Sequence, residues 1–184
     1  MRILLSSGYP AHSADSLTEW SSQNYEAKGE VVKINMPVTQ VEIDYPEGTV
    51  LVSKTDKKGI ITYLNQEFID ISGYSEPELM GKNHNIIRHP DMPPAAFKDL
   101  WDTLHAGKPW TGIVKNRAKN GDFYWVKANV AEIRENGTVT GYISVRSKPS
   151  RDEIDAADSL YRDINAGKVS LAPPKMQQFD FLRR

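Results

Sequence analysis

Two Asn-Gly pairs, at positions 120–121 and 136–137, divide residues 110–148 into three runs rich in β-branched and aromatic residues. The runs are WTGIVKNRAK, DFYWVKANVAEIR and TVTGYISVRSK, and their composition favours β-strands. Asn-Gly is typical of two-residue hairpin turns, because both of its residues tolerate the positive φ angles that such turns require. The sequence therefore predicts an antiparallel meander of three strands.

An earlier hairpin is predicted where two apolar runs flank the polar turn 56–59. The sequence between this hairpin and the meander predicts three helices. Asn65 is predicted to cap a short helix that Gly73 ends, and Ser75 with Glu78 forms a capping box for a second helix. A longer helix follows, and its apolar residues share one face: Ala96, Phe97, Leu100, Trp101 and Leu104. The order β-β-α-α-α-β-β-β predicts an α+β fold, in which a five-stranded antiparallel sheet carries short helices on one face.

The two ends of the chain lack the strand pattern and are assigned to extensions. Residues 1–46 are predicted to be a leader that is loosely ordered or holds a short helix at 17–26. Residues 47–149 are the predicted domain. Residues 150–184 are predicted to hold a helix that opens with the capping box of Ser150 and Glu153, and we expect this helix to leave the domain.

Composition excludes several classes of site. The chain of 184 residues has no cysteine, which removes disulfides, thiolate zinc sites and cysteinyl-flavin photochemistry together. Its net charge of −1 gives no reason to expect a nucleic-acid partner. No window approaches the roughly 20 apolar residues of a membrane span. We therefore expect a cytoplasmic protein that is soluble as given.

Three motifs carry a more specific resemblance. The segments GYSEPELMGKNHNIIRHPDMPPAAFKDLW, GKPWTGIVKNRAKNGDFYWVKANV and GYISVRSKPS resemble the PAS sensor of the bacterial aerotaxis receptor (Aer) family. The resemblance covers about residues 50–167, and RHPDMP followed by PWTGIVKNR is far more specific than a generic PAS match. It implies a PAS fold, a small sensory module with a pocket between sheet and helices.

The resemblance also implies a function. Members of this family bind FAD non-covalently, and its redox state reports on respiration. The signal passes through a membrane anchor, a HAMP domain and a methyl-accepting-type signalling domain to the chemotaxis kinase, so the family's sensor lies on the cytoplasmic side of the inner membrane. None of these downstream parts is recognisable in this sequence. We accordingly expect a redox-sensing domain rather than an enzyme.

The stretch HNIIRHPDMPPAAF supplies the first candidate site residues. The resemblance places His84, Arg88, His89 and Asp91 at positions important for FAD binding. For Arg88 the local sequence favours a cofactor-binding role. A charged side chain directly after two isoleucines needs a partner, and the diphosphate of FAD is a suitable one. For Asp91 and His84 a structural role is also open, with Asp91 capping the following helix and His84 packing in a loop.

Four further residues complete the predicted cofactor site. Trp110 opens the first strand of the meander, where a planar isoalloxazine needs an aromatic wall, and the resemblance makes it a flavin-site residue. Asn116 matches a family position near the ring and could hydrogen-bond a flavin edge. Asn65 has the same capability but is better explained as a helix cap. Phe97 lies on the inward helix face and is a candidate for the pocket lining or for the core.

Other functions remain open at this stage. A PAS domain can bind haem, for which His84 or His89 would be an axial ligand, another small ligand, or only protein partners. A metal-dependent enzyme would use His84, His89 and Asp91, but these residues show no recognised ligand spacing. The apolar stripe of the final helix is wide enough to pair with a second chain, so a homodimer is plausible.

Overall fold

The structure is a computed structural model that describes residues 34–171. The predicted helix at 17–26 lies outside the described residues, as does the end of the tail. Ten elements follow from residue 51 onward: nine strands and α-helices in the predicted order, and one additional 3₁₀ helix. The division into a leader, a domain and a C-terminal segment at residues 46 and 149 stays a prediction.

A five-stranded antiparallel sheet forms the centre of the fold, as predicted. Its strands are β1 (Leu51–Asp56), β2 (Ile61–Leu64), β3 (Trp110–Arg117), β4 (Phe123–Glu135) and β5 (Thr138–Ser147). The spatial order is β2-β1-β5-β4-β3, so the first hairpin adds to the meander through the pairing of β1 with β5. Both Asn-Gly turns lie between the strands they were expected to join.

Three α-helices and a 3₁₀ helix connect β2 to β3. They are α1 (Gln66–Ser72), α2 (Glu76–Leu79), the 3₁₀ helix (His84–Ile87) and α3 (Pro94–His105). The Asn65 side chain accepts a hydrogen bond from the Phe68 backbone N–H, and Gly73 ends α1 with a φ of 70°. Pro93 occupies the N-cap position of α3 and no side chain caps that helix. The alternative role of Asp91, as the cap of α3, is therefore wrong.

The core lies between these helices and one face of the sheet. Its fully buried members come from both layers: Leu51, Ile61, Phe68, Leu79, Leu104, Tyr124 and Val126. Alternate residues of a strand point to opposite faces, so Tyr124 and Val126 face this core while Phe123 and Trp125 face away from it. The sheet thus has an inner face, towards helices α1 to α3, and an outer face.

The last helix, α4 (Arg151–Asn165), does not leave the domain in the part of the chain that the structure describes. It packs on the outer face of the sheet, where Ile154 and Ala157 contact Trp125. The Tyr161 hydroxyl donates a 2.5 Å hydrogen bond to the Ile113 carbonyl of β3. The expectation of a departing helix is corrected, because its apolar stripe finds a partner on the uncovered side of the same sheet.

Residues 34–46 form no helix and make only an isolated bridge to β4, yet they are tied to the domain. The Asn35 amide donates to the carbonyls of Asn85 and Arg88, at 2.8 and 2.9 Å. The buried Arg117 guanidinium donates to the carbonyls of Met36 and Pro37. This part of the leader therefore lies along the edge of the sheet and reaches the segment that precedes α3.

Candidate functional site

A cleft opens between the inner face of the sheet, the 3₁₀ helix and α3. Its cavity volume is about 120 Å³. The walls come from six elements and the segments beside them: Ser53, Thr55, Gly59, Asn83, His84, Asn85, Ile87, Arg88, Phe97, Leu100, Trp101, Trp110, Val114, Asn116, Ala128, Val130, Tyr142, Ile143, Ser144 and Arg146. A mostly apolar wall with a few convergent polar groups is the usual composition of a small-molecule site.

Two arginines give the cleft a positive charge. Among the described residues that line it, Arg88 and Arg146 are the cationic side chains and none is aspartate or glutamate. Burial lowers the pKa of each guanidinium to about 10, which still leaves both charged at neutral pH. A buried charge is costly unless it is paired, so this cleft suits an anionic ligand.

Arg88 lies beside the aromatic wall at the start of α3. Its guanidinium carbon is 3.8 Å from the centre of the Phe97 ring, a cation–π contact. Its Nε is buried and has no hydrogen-bond partner within residues 34–171. Arg88 also forms an isolated antiparallel bridge with Asn116 of β3. The side chain is therefore held near the sheet with one donor still unused.

Arg146 lies on β5, towards the opposite side of the cleft from β3. Its guanidinium donates to the Ser53 hydroxyl and to Nε2 of His84, each at 2.9 Å, and lies over the Phe68 ring. Burial first, and then the positive charge of Arg146, hold the pKa of His84 well below its usual value of 6.5. His84 is thus a neutral acceptor, with its proton assigned to Nδ1.

Two polar atoms beside these arginines also lack partners. The Asn116 Nδ2 and the Ser144 Oγ are buried and make no hydrogen bond within the part of the chain that the structure describes. Buried polar groups are hydrogen-bonded in the large majority of cases, so each orphan requires an explanation. Because both residues line the cleft, a ligand with hydrogen-bond acceptors satisfies them most simply.

Aromatic side chains form the rest of the wall. Trp101 meets Tyr142 edge to face, with ring centres 5.1 Å apart. The Trp110 indole N–H donates a 2.8 Å hydrogen bond to Asp99 of α3. The indole lies against Gly112, where a Cβ atom would come within 2.2 Å of Trp110 Cη2. Gly112 therefore allows the ring to lie flat along its own strand.

Comparison with known proteins agrees with this geometry. Residues 61–146 match the family described as the PAS fold. The aerotaxis receptor of Escherichia coli (strain K12) is 49% identical over 133 residues, which make up 72% of this chain and 26% of the receptor. The chain carries a PAS domain of the aerotaxis-receptor family.

More distant relatives of this PAS domain are also sensory and regulatory proteins. The nitrogen fixation regulatory protein of Klebsiella pneumoniae is 28% identical over 101 residues, 54% of this chain and 20% of that protein. A solved light-oxygen-voltage domain, studied with a flavin analogue, has a TM-score of 0.52 at 27% identity and covers 64% of this chain and 87% of its own. The PAS domain is a sensor domain of signal transduction.

The chain spans about a quarter of the length of the aerotaxis receptor that it matches. Within residues 34–171, no helix combines the length and the apolar content needed to cross a membrane.

Five of the eight predicted cofactor residues line the cleft of the PAS domain. They are His84, Arg88, Phe97, Trp110 and Asn116. Asn65 does not line the cleft. Its side-chain oxygen accepts hydrogen bonds from the backbone N–H groups of Val52 and Phe68, and its amide nitrogen donates to the Val50 carbonyl and the Glu67 carboxylate. These hydrogen bonds join α1 to β1. The structural explanation of Asn65 as a helix cap is confirmed. The cofactor-binding role of the other seven stays a prediction.

His89 and Asp91 lie behind the cleft. His89 is 2% exposed; its Nδ1 accepts from the Asp91 backbone N–H, and its Nε2 lacks a partner within the described residues. Burial and the nearby Lys115 lower the pKa of His89 to about 4. The Asp91 carboxylate lies 2.6 Å from Lys115 Nζ, on the outer side of β3. These two residues support the segment that carries Arg88 instead of lining the cleft.

The proposed metal site is not assembled. His84 Nε2 accepts from Arg146 in the cleft, whereas Asp91 is paired with Lys115. No group of three or more potential ligands that could hold a metal ion occurs among residues 34–171. The structure therefore offers no support for a metal-dependent enzyme built on His84, His89 and Asp91.

Sequence reasoning missed Arg146, Ser144 and Gly112. The sequence did contain a signal for Arg146. Arg146 lies two residues after Ser144 and four after Tyr142 on β5, so all three side chains face the same side of the sheet. A charged residue at an inward position of a central strand requires a partner. Gly112 was visible as a glycine inside a strand, which often marks a close approach of another group.

Proposed function

We propose that this PAS domain binds FAD non-covalently in the cleft and passes the redox state of the flavin to a chemotaxis signalling module. The observation that carries the proposal is the cleft itself, an aromatic pocket with the buried guanidinium of Arg146, the half-buried Arg88, orphaned donors and no lining carboxylate among the described residues. The 49% identity to an aerotaxis receptor and the likeness to a flavin-related light-oxygen-voltage domain support it.

The side chains of the cleft fit the chemistry of FAD. Its diphosphate is anionic and its isoalloxazine is planar, with carbonyl and ring-nitrogen acceptors along one edge. Arg88 would hold the negative charge of the diphosphate, and Asn116 and Ser144 would donate hydrogen bonds to acceptors of the ligand. Trp110 would supply an apolar wall. When bound, FAD supplies the capacity to take up and release electrons.

Signal transmission would use the connection between the cleft segment and α4. The Asn165 amide, at the last residue of α4, donates a 2.8 Å hydrogen bond to the Asp91 carbonyl. The Asp91 carboxylate holds Lys115 on β3, next to Asn116. A change in contacts at Asn116 or Arg88 thus has a short route to α4. A signal requires that these contacts differ between the two redox states.

The downstream partners belong to the same proposal. In a receptor of this family, α4 would lead towards the membrane anchor, the HAMP domain and the methyl-accepting-type signalling domain, and so to the chemotaxis kinase. The sensor would then lie on the cytoplasmic side of the inner membrane. A homodimer is also part of the proposal, although α4 uses much of its apolar stripe on its own sheet.

A haem-binding function finds less support. An axial histidine must offer a free nitrogen lone pair to the iron. His84 is the histidine of the cleft wall, and its Nε2 already accepts a hydrogen bond from Arg146. His89 does not line the cleft within the described residues. Haem would therefore require His84 to give up the contact that satisfies a buried guanidinium.

Equilibrium titration of the apoprotein with FAD tests the proposal. We expect Arg88→Ala to raise the Kd at least tenfold, because a hydrogen bond to a charged group contributes about 1.5–3 kcal/mol. Arg162→Ala is the matched control, since Arg162 is 74% exposed and pairs with Asp158 on α4. Equal affinities for all three proteins, each folded by circular dichroism, would remove Arg88 from the site.

A further inference from the structure

The buried guanidinium of Arg146 has only neutral hydrogen-bond partners. It donates to the Ser53 hydroxyl and to the neutral His84 ring, and it packs over the Phe68 ring. Its side chain is 6% exposed, and it forms no ion pair within residues 34–171. Its position is therefore fixed on three sides, while its full positive charge is left without a counter-ion.

Two other cations of the domain, Lys115 and Arg117, are also buried, and each is compensated in a different way. Lys115 is also nearly buried, but a carboxylate 2.6 Å away neutralises it. Arg117 has no carboxylate partner among the described residues, but it lies outside the cleft wall and donates to the carbonyls of Pro37 and Met36 and to the Tyr74 hydroxyl. Arg146 is the buried cation that lines the cleft, and it has no acid beside it in the described part of the chain, although Ser53 occupies a position from which an aspartate would reach it.

We propose that Arg146 is a redox-tuning residue, whose uncompensated charge in the cleft wall stabilises the electron-rich reduced form of the bound flavin relative to the oxidised form. Reduction adds electrons to the ring system, and a fixed cation nearby favours the state with more negative charge. Ser53 and His84 are positioning residues, because they orient the guanidinium without neutralising it. The inference rests on the proposed function.

The neutral state of His84 preserves both the position and the charge of Arg146. A charged histidine 2.9 Å from Arg146 would repel the guanidinium, and an aspartate there would cancel its charge. A neutral imidazole with Nε2 as acceptor does neither. The other titratable and charged groups that act on His84 or Arg146 are Arg88, Tyr124 and Tyr45, and none is a carboxylate.

The test is an anaerobic reductive titration of the FAD-loaded full chain against a reference dye. Arg146→Gln removes the charge but keeps groups that can bond Ser53 and His84, whereas Arg146→Lys keeps the charge. Arg162→Gln on the exposed face of α4 is the control. We expect Arg146→Gln to weaken binding of reduced relative to oxidised FAD about tenfold, which is a midpoint potential about 30 mV more negative for a two-electron couple.

A second variant keeps the proposal testable if Arg146→Gln does not fold. Ser53→Asp leaves Arg146 in place and gives it a carboxylate partner, so the midpoint potential should again fall. In Arg146→Lys and Arg162→Gln, the ratio of the affinities for reduced and oxidised FAD should stay within about twofold of the wild-type ratio.

The outcomes separate this inference from the proposed function. A wild-type chain that takes up no FAD would overturn both. A wild-type chain that binds FAD, with Arg146→Gln or Ser53→Asp loaded with FAD at an unchanged midpoint potential, would overturn only the tuning role of Arg146. A fall in potential in the charge-removing or charge-neutralising variant, absent from the Arg162 control, would support it.

Discussion

Substitution of Gly112 by alanine tests whether this glycine sets the aromatic wall of the cleft. The added Cβ would lie 2.2 Å from Trp110 Cη2 and 2.3 Å from Cζ2. Favourable contacts between carbon atoms lie near 3.5–4.0 Å, so the indole has to move by more than 1 Å. Such a movement breaks the 2.8 Å hydrogen bond from the indole N–H to Asp99.

The expected cost follows from these two losses. Overpacking of a well-packed site costs roughly 1–3 kcal/mol. The hydrogen bond to the exposed Asp99 contributes about 1 kcal/mol, below the roughly 1.5–3 kcal/mol of a bond to a buried charged group. Replacing glycine by alanine returns about 0.4–1 kcal/mol by restricting the unfolded chain. We therefore expect Gly112→Ala to lower the free energy of unfolding by about 2–3 kcal/mol.

Urea denaturation of a double-mutant cycle measures this effect. The second background is Trp110→Leu, because leucine lacks the indole ring that meets the new Cβ. In that background Gly112→Ala should cost less than about 0.5 kcal/mol, so the coupling should exceed 1 kcal/mol. An equal cost in both backgrounds, or a cost below about 0.5 kcal/mol in the wild type, would refute the argument.

Three further predictions concern the neighbourhood of the cleft. Asp91→Asn should lower the free energy of unfolding by roughly 1–3 kcal/mol in urea denaturation, because it leaves the buried Lys115 without a carboxylate, and Asp91→Glu should restore part of the loss. Acidification below pH 6.5 should destabilise the protein, because His84 is protonated in the unfolded chain but stays neutral when it is buried in the folded protein. This contribution is fully present above pH 6.5 and is lost at up to about 1.4 kcal/mol per pH unit below it, so unfolding curves of His84→Gln should depend less steeply on pH. Asn165→Ala should speed amide hydrogen exchange in the last turn of α4 while changing global stability by less than about 1 kcal/mol, and an unchanged exchange rate would argue against the contact with Asp91.

The sequence predicted the fold well because its local signals are strong. The capping box of Ser75 and Glu78 and the cap at Asn65 lie where their side-chain chemistry requires them. The Asn-Gly turns determine the meander in the same way. These features depend on residues only a few positions apart, so a single sequence reveals them without knowledge of tertiary contacts.

The cleft was only partly predictable because it depends on tertiary contacts. Strand parity and helical spacing indicate which residues face inward, and so Phe97, Trp110 and Asn116 could be anticipated. No sequence signal showed that Asp91 would turn towards Lys115 on the other side of β3. The packing of α4 on the outer face of the sheet could not be predicted either. An apolar stripe shows that a helix packs against another surface, but it does not identify that surface.

The central claim is that the cleft holds FAD, and an absorption spectrum of the purified chain from about 300 to 600 nm tests it most directly. Acid release and chromatography then identify any chromophore. The account predicts two flavin bands and the release of intact FAD in about equal molar amount to protein. A Soret band, or a colourless protein that takes up no added FAD, would contradict it.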